Sequence, residues 1–329
     1  MSTPKQFTIK DIARDLNLAV STVSRAFSSH ASCHPETRRR ILDYAKSIGY
    51  TPNSAAKALV TRRTAKIAFV THTFENKIFR DLIPELFQLA AQNDYDLQLN
   101  LAPPDSELEK KLITNLTSRT IDGAIIYTPH FKTKVGLVDR LIEEKLPIVL
   151  LDHSGYSSCA AICRNFKVAA QAVTTYLIKK KHQKIAFIYD VEDDPRADGF
   201  KEALQKHKFP NKNAISCLIE KNQPIEAVIE KILLSHQPDA IFAAYDKISQ
   251  RILRYLKQRQ LDVPGEIALA STGNESYADL LDPPLTSYEL HHPELGTLLI
   301  KALLERIEQP DAPKQCKYLD GYLVPRRSA

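Results

Sequence analysis

The 329-residue sequence predicts two parts of different class: a small all-α helix-turn-helix head, and an α/β body of two lobes with parallel sheets and helices on both faces. Three observations predict this. Residues 8–28 carry two short apolar stripes at helical spacing, broken at Asn17-Leu18. Positive charge gathers at the start: residues 1–65 hold 11 Lys and Arg against 4 Asp and Glu, while the whole chain is only +6. From Lys66 onward, short apolar strands alternate with amphipathic helices.

The head starts with a capping signal, Thr8 followed by Asp11 three residues on. Ile9, Ile12, Ala13 and Leu16 then fall on one face. A second helix is expected from about Ala19 to Phe27, with Val20, Val23 and Phe27 at helical spacing. Its other face carries Ser21, Thr22, Ser24, Arg25 and Ser28, short hydroxyls around one guanidinium. A helix lying in a major groove needs this chemistry: small donors for phosphates and a planar fork for a guanine edge. The implied partner is double-stranded DNA, and the basic charge of the head fits that partner. Residues 54–59 are good helix formers after an Asn53 cap, yet the run is too short to be a stable helix alone.

These words resemble the LacI/GalR family of transcriptional regulators. The resemblance rests on Asp11-Ile12-Ala13, Ser21-Thr22-Val23-Ser24-Arg25, Pro35-Glu36-Thr37-Arg38, Gly49-Tyr50-Thr51-Pro52-Asn53, Ala56 and Leu59, in family order and spacing. It implies a three-helix head (1–52), a hinge helix and linker (53–64), and an effector-binding and dimerisation body (65–329) like a periplasmic sugar-binding protein. The first lobe would take about 65–163 and 292–329, the second about 164–291. By position, Val20, Ser21 and Arg25 would read bases, and Thr22, Ser24 and Thr37 would hold phosphates. Asn53 would start the hinge helix, and Ala56 and Leu59 would meet the minor groove, Leu59 as a wedge that kinks the duplex. The chain departs from the family pattern at Ala19 and His34, where serine caps are usual.

In the body, strands are expected at Lys66–Val70, Asp96–Leu101, Ala124–Tyr127, Ile148–Leu151, Lys184–Tyr189, Ala214–Leu218, Ala240–Ala243, Ile267–Ala270 and Tyr318–Val324. Helices are expected between them, and the last helix and strand are expected to return to the first lobe. Ligands of such sheets sit beyond the carboxyl ends of the strands. Read against the family, the cleft would draw on Phe74, Phe79, Asp152, Arg196, Tyr245, Asp246 and Asn274. Arg196 opens Arg-Ala-Asp-Gly-Phe, the family's Arg-x-x-Gly-aromatic word. Gly273 stands where an aspartate is usual, and Arg164 where another is usual. The implied effector is a sugar, sugar phosphate or related metabolite. Arg164, Arg196 and the missing acid motivate an anionic one.

Other classes find little support. The chain has nine glycines and no Gly-x-Gly, no Gly-x-Ser-x-Gly elbow and no His-Glu-x-x-His, so an enzyme is not expected. No cofactor and no metal site are expected: the five cysteines (33, 159, 163, 217, 316) lack a metal-binding spacing. With no signal peptide and no membrane span expected, the protein reads as cytoplasmic. One head reads few base pairs, so a homodimer on inverted half-sites is expected. A regulator controlled by a protein partner instead of a metabolite is the alternative.

Overall fold

The computed structural model describes residues 7–27, 33–50, 63–74, 77–102, 106–128 and 131–329. Two compact units, residues 1–64 and 65–329, divide the chain.

The first unit holds α1 (Ile9–Asp15), α2 (Val20–Ala26) and α3 (Pro35–Ser47). The Thr8 hydroxyl accepts from the Asp11 amide while Asp11 reaches back to the Thr8 amide, so two orphan donors of α1 are satisfied reciprocally. Asn17 turns the chain in the left-handed region, φ 56°, a conformation asparagine tolerates well. Ala19 and His34 give α2 and α3 no side-chain cap, though Pro35 suits the first helical position. Ile12, Ala13, Leu16, Val23, Ala26, Ile41 and Ala45 form one small core. Val20 is not part of it. The inward stripe of α2 is Val23 and Ala26, and Val20 stays 40% exposed.

The second unit contains two six-stranded sheets. The first has the order β11-β5-β4-β3-β1-β2, with β1 (Lys66–Thr71), β2 (Asp96–Leu101), β3 (Gly123–Tyr127), β4 (Ile148–Leu151), β5 (Ala160–Arg164) and β11 (Cys316–Leu319), all parallel. It is covered by α4 (Lys77–Gln92), α5 (Ser106–Asn115), α6 (Gly136–Glu143) and α11 (Leu295–Glu308). The second has the order β12-β10-β9-β8-β6-β7, with β6 (Ile185–Tyr189), β7 (Ala214–Leu218), β8 (Ala240–Ala243), β9 (Ala268–Thr272), β10 (Thr286–Glu289) and β12 (Tyr322–Val324). Only β12 runs antiparallel. Its helices are α7 (Phe166–Lys179), α8 (Pro195–Lys206), α9 (Ile225–Ser235) and α10 (Asp246–Gln258). Buried runs such as Ile185–Ile188 and Ala240–Ala243 are apolar on both faces, as parallel strands sandwiched by helices must be.

The chain passes between the sheets three times: after β5, after β10 and after β11. This corrects the expected course of the C-terminus. The single strand expected at 318–324 is two strands, broken at Asp320-Gly321; β11 completes the first sheet and β12 joins the second. Residues 322–329 therefore belong with the second lobe, where the Leu269 amide donates to the Ser328 carbonyl at 2.7 Å. A side chain on Gly321 would place Cβ 1.8 Å from the Glu289 carbonyl, so the break occurs where glycine alone fits. Strands β5 and β10 were not foreseen. β5, Ala-Ala-Ile-Cys-Arg, offers one large aliphatic side chain in five residues, and β10, Thr-Ser-Tyr-Glu, lacks an apolar run.

Candidate functional site: an exposed polar helix face and an interlobe cleft

On α2, Ser21, Ser24 and Arg25 are exposed beside Val20, and Thr22 is half-buried. Burial of Val23 and Ala26 fixes which way this face points relative to the head's core. The Arg25 Nε lies 3.3 Å from the Ser21 carbonyl, and no carboxylate pairs with Arg25 among the described residues. Two other arginines serve the head itself. Arg38 donates to the Ala26 carbonyl at 3.1 Å and Arg40 to the Leu16 carbonyl at 3.4 Å, each satisfying the carboxyl end of a helix. Thr37, half-buried, lies in the first turn of α3. Ser28, Asn53, Ala56 and Leu59 lie outside the described residues.

Between the two sheets of the body lies a cleft of about 600 Å³. Its walls are the carboxyl ends of strands and the first turns of the helices that follow them. Arg196 is its best-defined group. Asp194 caps α8 and positions Pro195 and Arg196 in its first turn. The Arg196 Nη1 donates to Asp194 Oδ2 at 2.8 Å and Nε donates to Thr272 Oγ1 at 2.9 Å, while the guanidinium covers the Phe166 ring at 4.2 Å. The Arg196 residue is 5% exposed and Asp194 3%. Burial raises the Asp194 carboxyl above the usual carboxylate range despite the facing arginine. Gly199 in the same word is a packing requirement, because a Cβ there would lie 2.2 Å from the Lys167 carbonyl.

Tyr245 and Asp246 also line the cleft. The Tyr245 hydroxyl donates to Asp190, and burial together with that carboxylate raises its pKa. Asp246 accepts from the hydroxyls of Ser271 and Ser287 and from the Glu275 amide. Burial nonetheless raises its pKa. Gly273 has φ +127° and its Cβ position lies 3.5 Å from the Asp246 carboxylate. An aspartate there would strain the backbone and crowd a like charge, which explains the departure from the family pattern.

The other expected cleft residues stand elsewhere. Phe79 is fully buried core, edge-on to Phe69 and Tyr127, and exposed Phe74 packs on Phe79; neither lines the cleft. Phe79 falls on the inward stripe of α4, and the hydrophobic core takes it. Asp152 lies one layer behind, holding Arg164 through Nε at 2.9 Å and Nη2 at 2.5 Å. Asn274 is likewise a support, donating to Glu289 at 3.0 Å and accepting from Arg326 at 2.7 Å. Several lining groups were not foreseen: Lys77, Tyr127, Phe131, Phe166, Asp190, Asp194 and Glu289. Tyr127 and Asp190 stand at the ends of strands that were recognised, so position alone could have flagged them. Glu289 ends β10, which was missed. Burial works against its charge, but donors from Asn274, His291 and Lys77 hold its pKa below the usual range.

Both rims of the cleft carry contacts between the lobes. At one, Lys77 Nζ donates to Glu289 at 2.9 Å and to the Asn274 carbonyl at 2.7 Å, and Arg80 to Ser276 at 3.1 Å. At the other, one oxygen of Asp193 accepts from the amides of Phe131, Lys132 and Thr133 at 3.1, 2.7 and 2.7 Å.

Residues 8–53 match the family described as bacterial regulatory proteins, lacI family, and residues 174–329 match the periplasmic binding protein-like domain. The chain carries a lacI-family head and a periplasmic binding protein-like body. The catabolite control protein A of Staphylococcus epidermidis is 25% identical, over 94% of this chain and 98% of the relative. The ribose operon repressor of Escherichia coli K12 is 25% identical over 98% and 99%. Among solved structures, the lac repressor dimer bound to operator and the anti-inducer ONPF has a TM-score of 0.80 at 20% identity, covering 98% of this chain and 99% of that one. The CelR–cellobiose complex has a TM-score of 0.72 at 22% identity, covering 98% and 100%. These two likenesses are of fold. No helix among the described residues is long and apolar enough to cross a membrane.

Proposed function

We propose that this LacI-family chain is a sequence-specific transcriptional repressor that binds a pseudo-palindromic operator as a homodimer, with a small molecule in the interlobe cleft setting its activity. The observation that carries this reading is the pairing of an exposed hydroxyl-and-guanidinium face on α2 with a polar, aromatic-walled cleft in the body. Val20, Ser21 and Arg25 read bases, and Thr22, Ser24, Ser28 and Thr37 hold the backbone. Asn53, Ala56 and Leu59 form the minor-groove hinge. The protein is not an enzyme, and it works where the chromosome is, in the cytoplasm. The domains are the head (1–52), the hinge and linker (53–64) and the body (65–329), with 322–329 assigned to the second lobe.

The effector is a neutral polyhydroxylated molecule of sugar size. Both arginines that line the cleft are already neutralised, Arg164 by Asp152 and Arg196 by Asp194. Six carboxylates (Asp81, Asp190, Asp194, Asp246, Glu275, Glu289) line the cleft against four cations (Lys77, Arg164, Arg196, Lys247). That balance disfavours the anionic effector expected from Arg164 and Arg196 alone, since a phosphate would meet excess like charge. Remaining guanidinium hydrogens and carboxylate lone pairs suit hydroxyls, and Tyr127, Phe131 and Phe166 suit the apolar faces of a sugar ring. Calorimetric titration of free hexoses, pentoses and disaccharides beside their phosphates tests this. Preference for a phosphate would overturn the neutral assignment.

The effector acts by favouring one relative position of the lobes, and with it the ability of paired hinge segments to fold on DNA. For the head, Arg25→Ala is expected to cost about 1–3 kcal/mol and to relax preference at one base pair. Selection of bound duplexes from a random pool, parent against variant, reads this out. An equal loss on all sequences would reject the base-reading role.

A further inference from the structure

Cys163 and Cys316 lie on neighbouring strands at one margin of the first sheet. β11 is the outermost strand; Cys316 is in register with Ala161, and Cys163 with Tyr318. Alternation along a strand puts Cys163, Tyr318 and Cys316 on one face. The two sulfurs are 3.7 Å apart. Cys163 is 3% exposed, within the cluster that includes Leu150, Tyr156 and Ala161, while Cys316 is exposed at the surface. One thiol is reachable from solvent and its neighbour is sheltered. We propose that Cys163 and Cys316 form a redox modification site, converted by a small hydroperoxide into an intramolecular disulfide and restored by a thiol reductant.

The two sulfurs are suited to different steps. The hydrogen bond from Cys163, helped by the Tyr318 hydroxyl and opposed by burial, brings Cys316 down to about 7. The same hydrogen bond and burial hold Cys163 protonated. Cys316 thiolate attacks the terminal oxygen of the hydroperoxide; an S–O bond forms and the O–O bond breaks. The departing oxygen takes up a proton and leaves as an alcohol, or as water from hydrogen peroxide. The Cys163 sulfur then attacks the Cys316 sulfur of the sulfenic acid. The S–S bond forms, the S–O bond breaks, and hydroxide leaves as water with the Cys163 proton. Two thiols give up two electrons, and the hydroperoxide accepts them. The sulfurs must close from 3.7 Å to about 2.05 Å. Cys316 begins an outermost strand, so the adjustment falls where few neighbours resist it.

The position gives the bond a consequence. Cys163 directly precedes Arg164, which is held by Asp152 at the cleft wall. Asn165 and Asp320, where the two passages to the second sheet run side by side, are joined by a 2.7 Å hydrogen bond. A disulfide between the strands that feed both passages, one residue before the end of β5 and three before the end of β11, ties them together and stiffens the connection between the lobes.

The test uses the full-length protein treated with a slight excess of hydrogen peroxide and mapped by mass spectrometry without reductant. A linked peptide pair holding Cys163 and Cys316 is expected, lighter by two hydrogens than the free peptides and released by dithiothreitol. Cys163→Ser should leave Cys316 as a sulfenic acid trapped by dimedone, and Cys316→Ser should leave Cys163 unmodified. Cys33, Cys159 and Cys217 serve as internal controls in the same digest. Conversion of Cys316 to sulfinic acid, or only to bonds between separate chains, with no Cys163–Cys316 link in the parent, would overturn the site. Slower amide exchange at residues 164–166 and 319–322 after oxidation is expected, and unchanged exchange in a fully linked sample would overturn the stiffening. Neither readout depends on which effector fills the cleft.

Discussion

Replacing Arg196 by alanine is expected to cost the body about 3–5 kcal/mol, the usual loss when one partner of a buried ion pair is removed, and to abolish effector binding. The cost has a definite origin. Asp194 is 3% exposed, and Arg196 is its only ion-pair partner among the described residues. Without the guanidinium, Asp194 must be buried as an unpaired charge or take up a proton, and the Thr272 hydroxyl loses a donor. The Phe166 ring also loses the cation that covers it at 4.2 Å, a smaller term of about 0.5–2 kcal/mol. Urea unfolding measures the stability. Adding Asp194→Asn to Arg196→Ala removes the uncompensated charge and should restore part of the stability without restoring effector binding. That split separates the fold's use of the pair from the ligand's use of the arginine. A single variant as stable as the parent, and still titrating with sugar, would show that Arg196 has neither role.

The head was more legible in the sequence than the cleft, for physical reasons. A capping box, a turn and an apolar stripe are local, so Thr8, Asp11, Ile12 and Val23 could be placed from their neighbours alone. Only Val20 was ambiguous, because it fits both the inward stripe by spacing and the outward face by geometry. The alternation of strands and helices in the body was equally legible. Where strands lacked a run of large apolar residues, as at β5 and β10, the cleft became illegible with them, and Glu289 was lost because β10 was lost. The word Arg-Ala-Asp-Gly-Phe flagged Arg196 through the family resemblance, and two of its positions have local physical reasons: a donor at Arg196 and close helix packing at Gly199. Asp152 carried no such word. Its place behind Arg164 depends on β4 and β5 lying side by side, a contact between segments that spacing cannot reveal.

Asp193→Ala is expected to open the lobes and weaken effector binding by roughly tenfold, about 1.4 kcal/mol, the low end for a charge-assisted contact that is partly exposed. Asp193 follows β6 in the second lobe, and the amides of Phe131, Lys132 and Thr133 that it accepts follow β3 in the first. A carboxylate held by three backbone donors across a cleft exists only when the cleft is closed, so its charge stabilises that state selectively. Burial works against the charge, yet those three amides and the Thr133 hydroxyl outweigh it and hold the Asp193 pKa below the usual carboxylate range. The sign follows. Because the closed-state pKa is depressed, the contribution is fully present above the ordinary aspartate range and is lost as pH falls through the depressed value. Closure through this contact should therefore be flat across neutral pH and fail only in acid, which marks it as a fixed clasp and not a physiological pH sensor. Small-angle scattering should show a larger radius of gyration for Asp193→Ala at neutral pH. Asp193→Asn, which keeps an acceptor oxygen but no charge, should fall between the two. If the alanine variant matched the parent in both radius and affinity, the Lys77 rim alone would be sufficient to close the lobes.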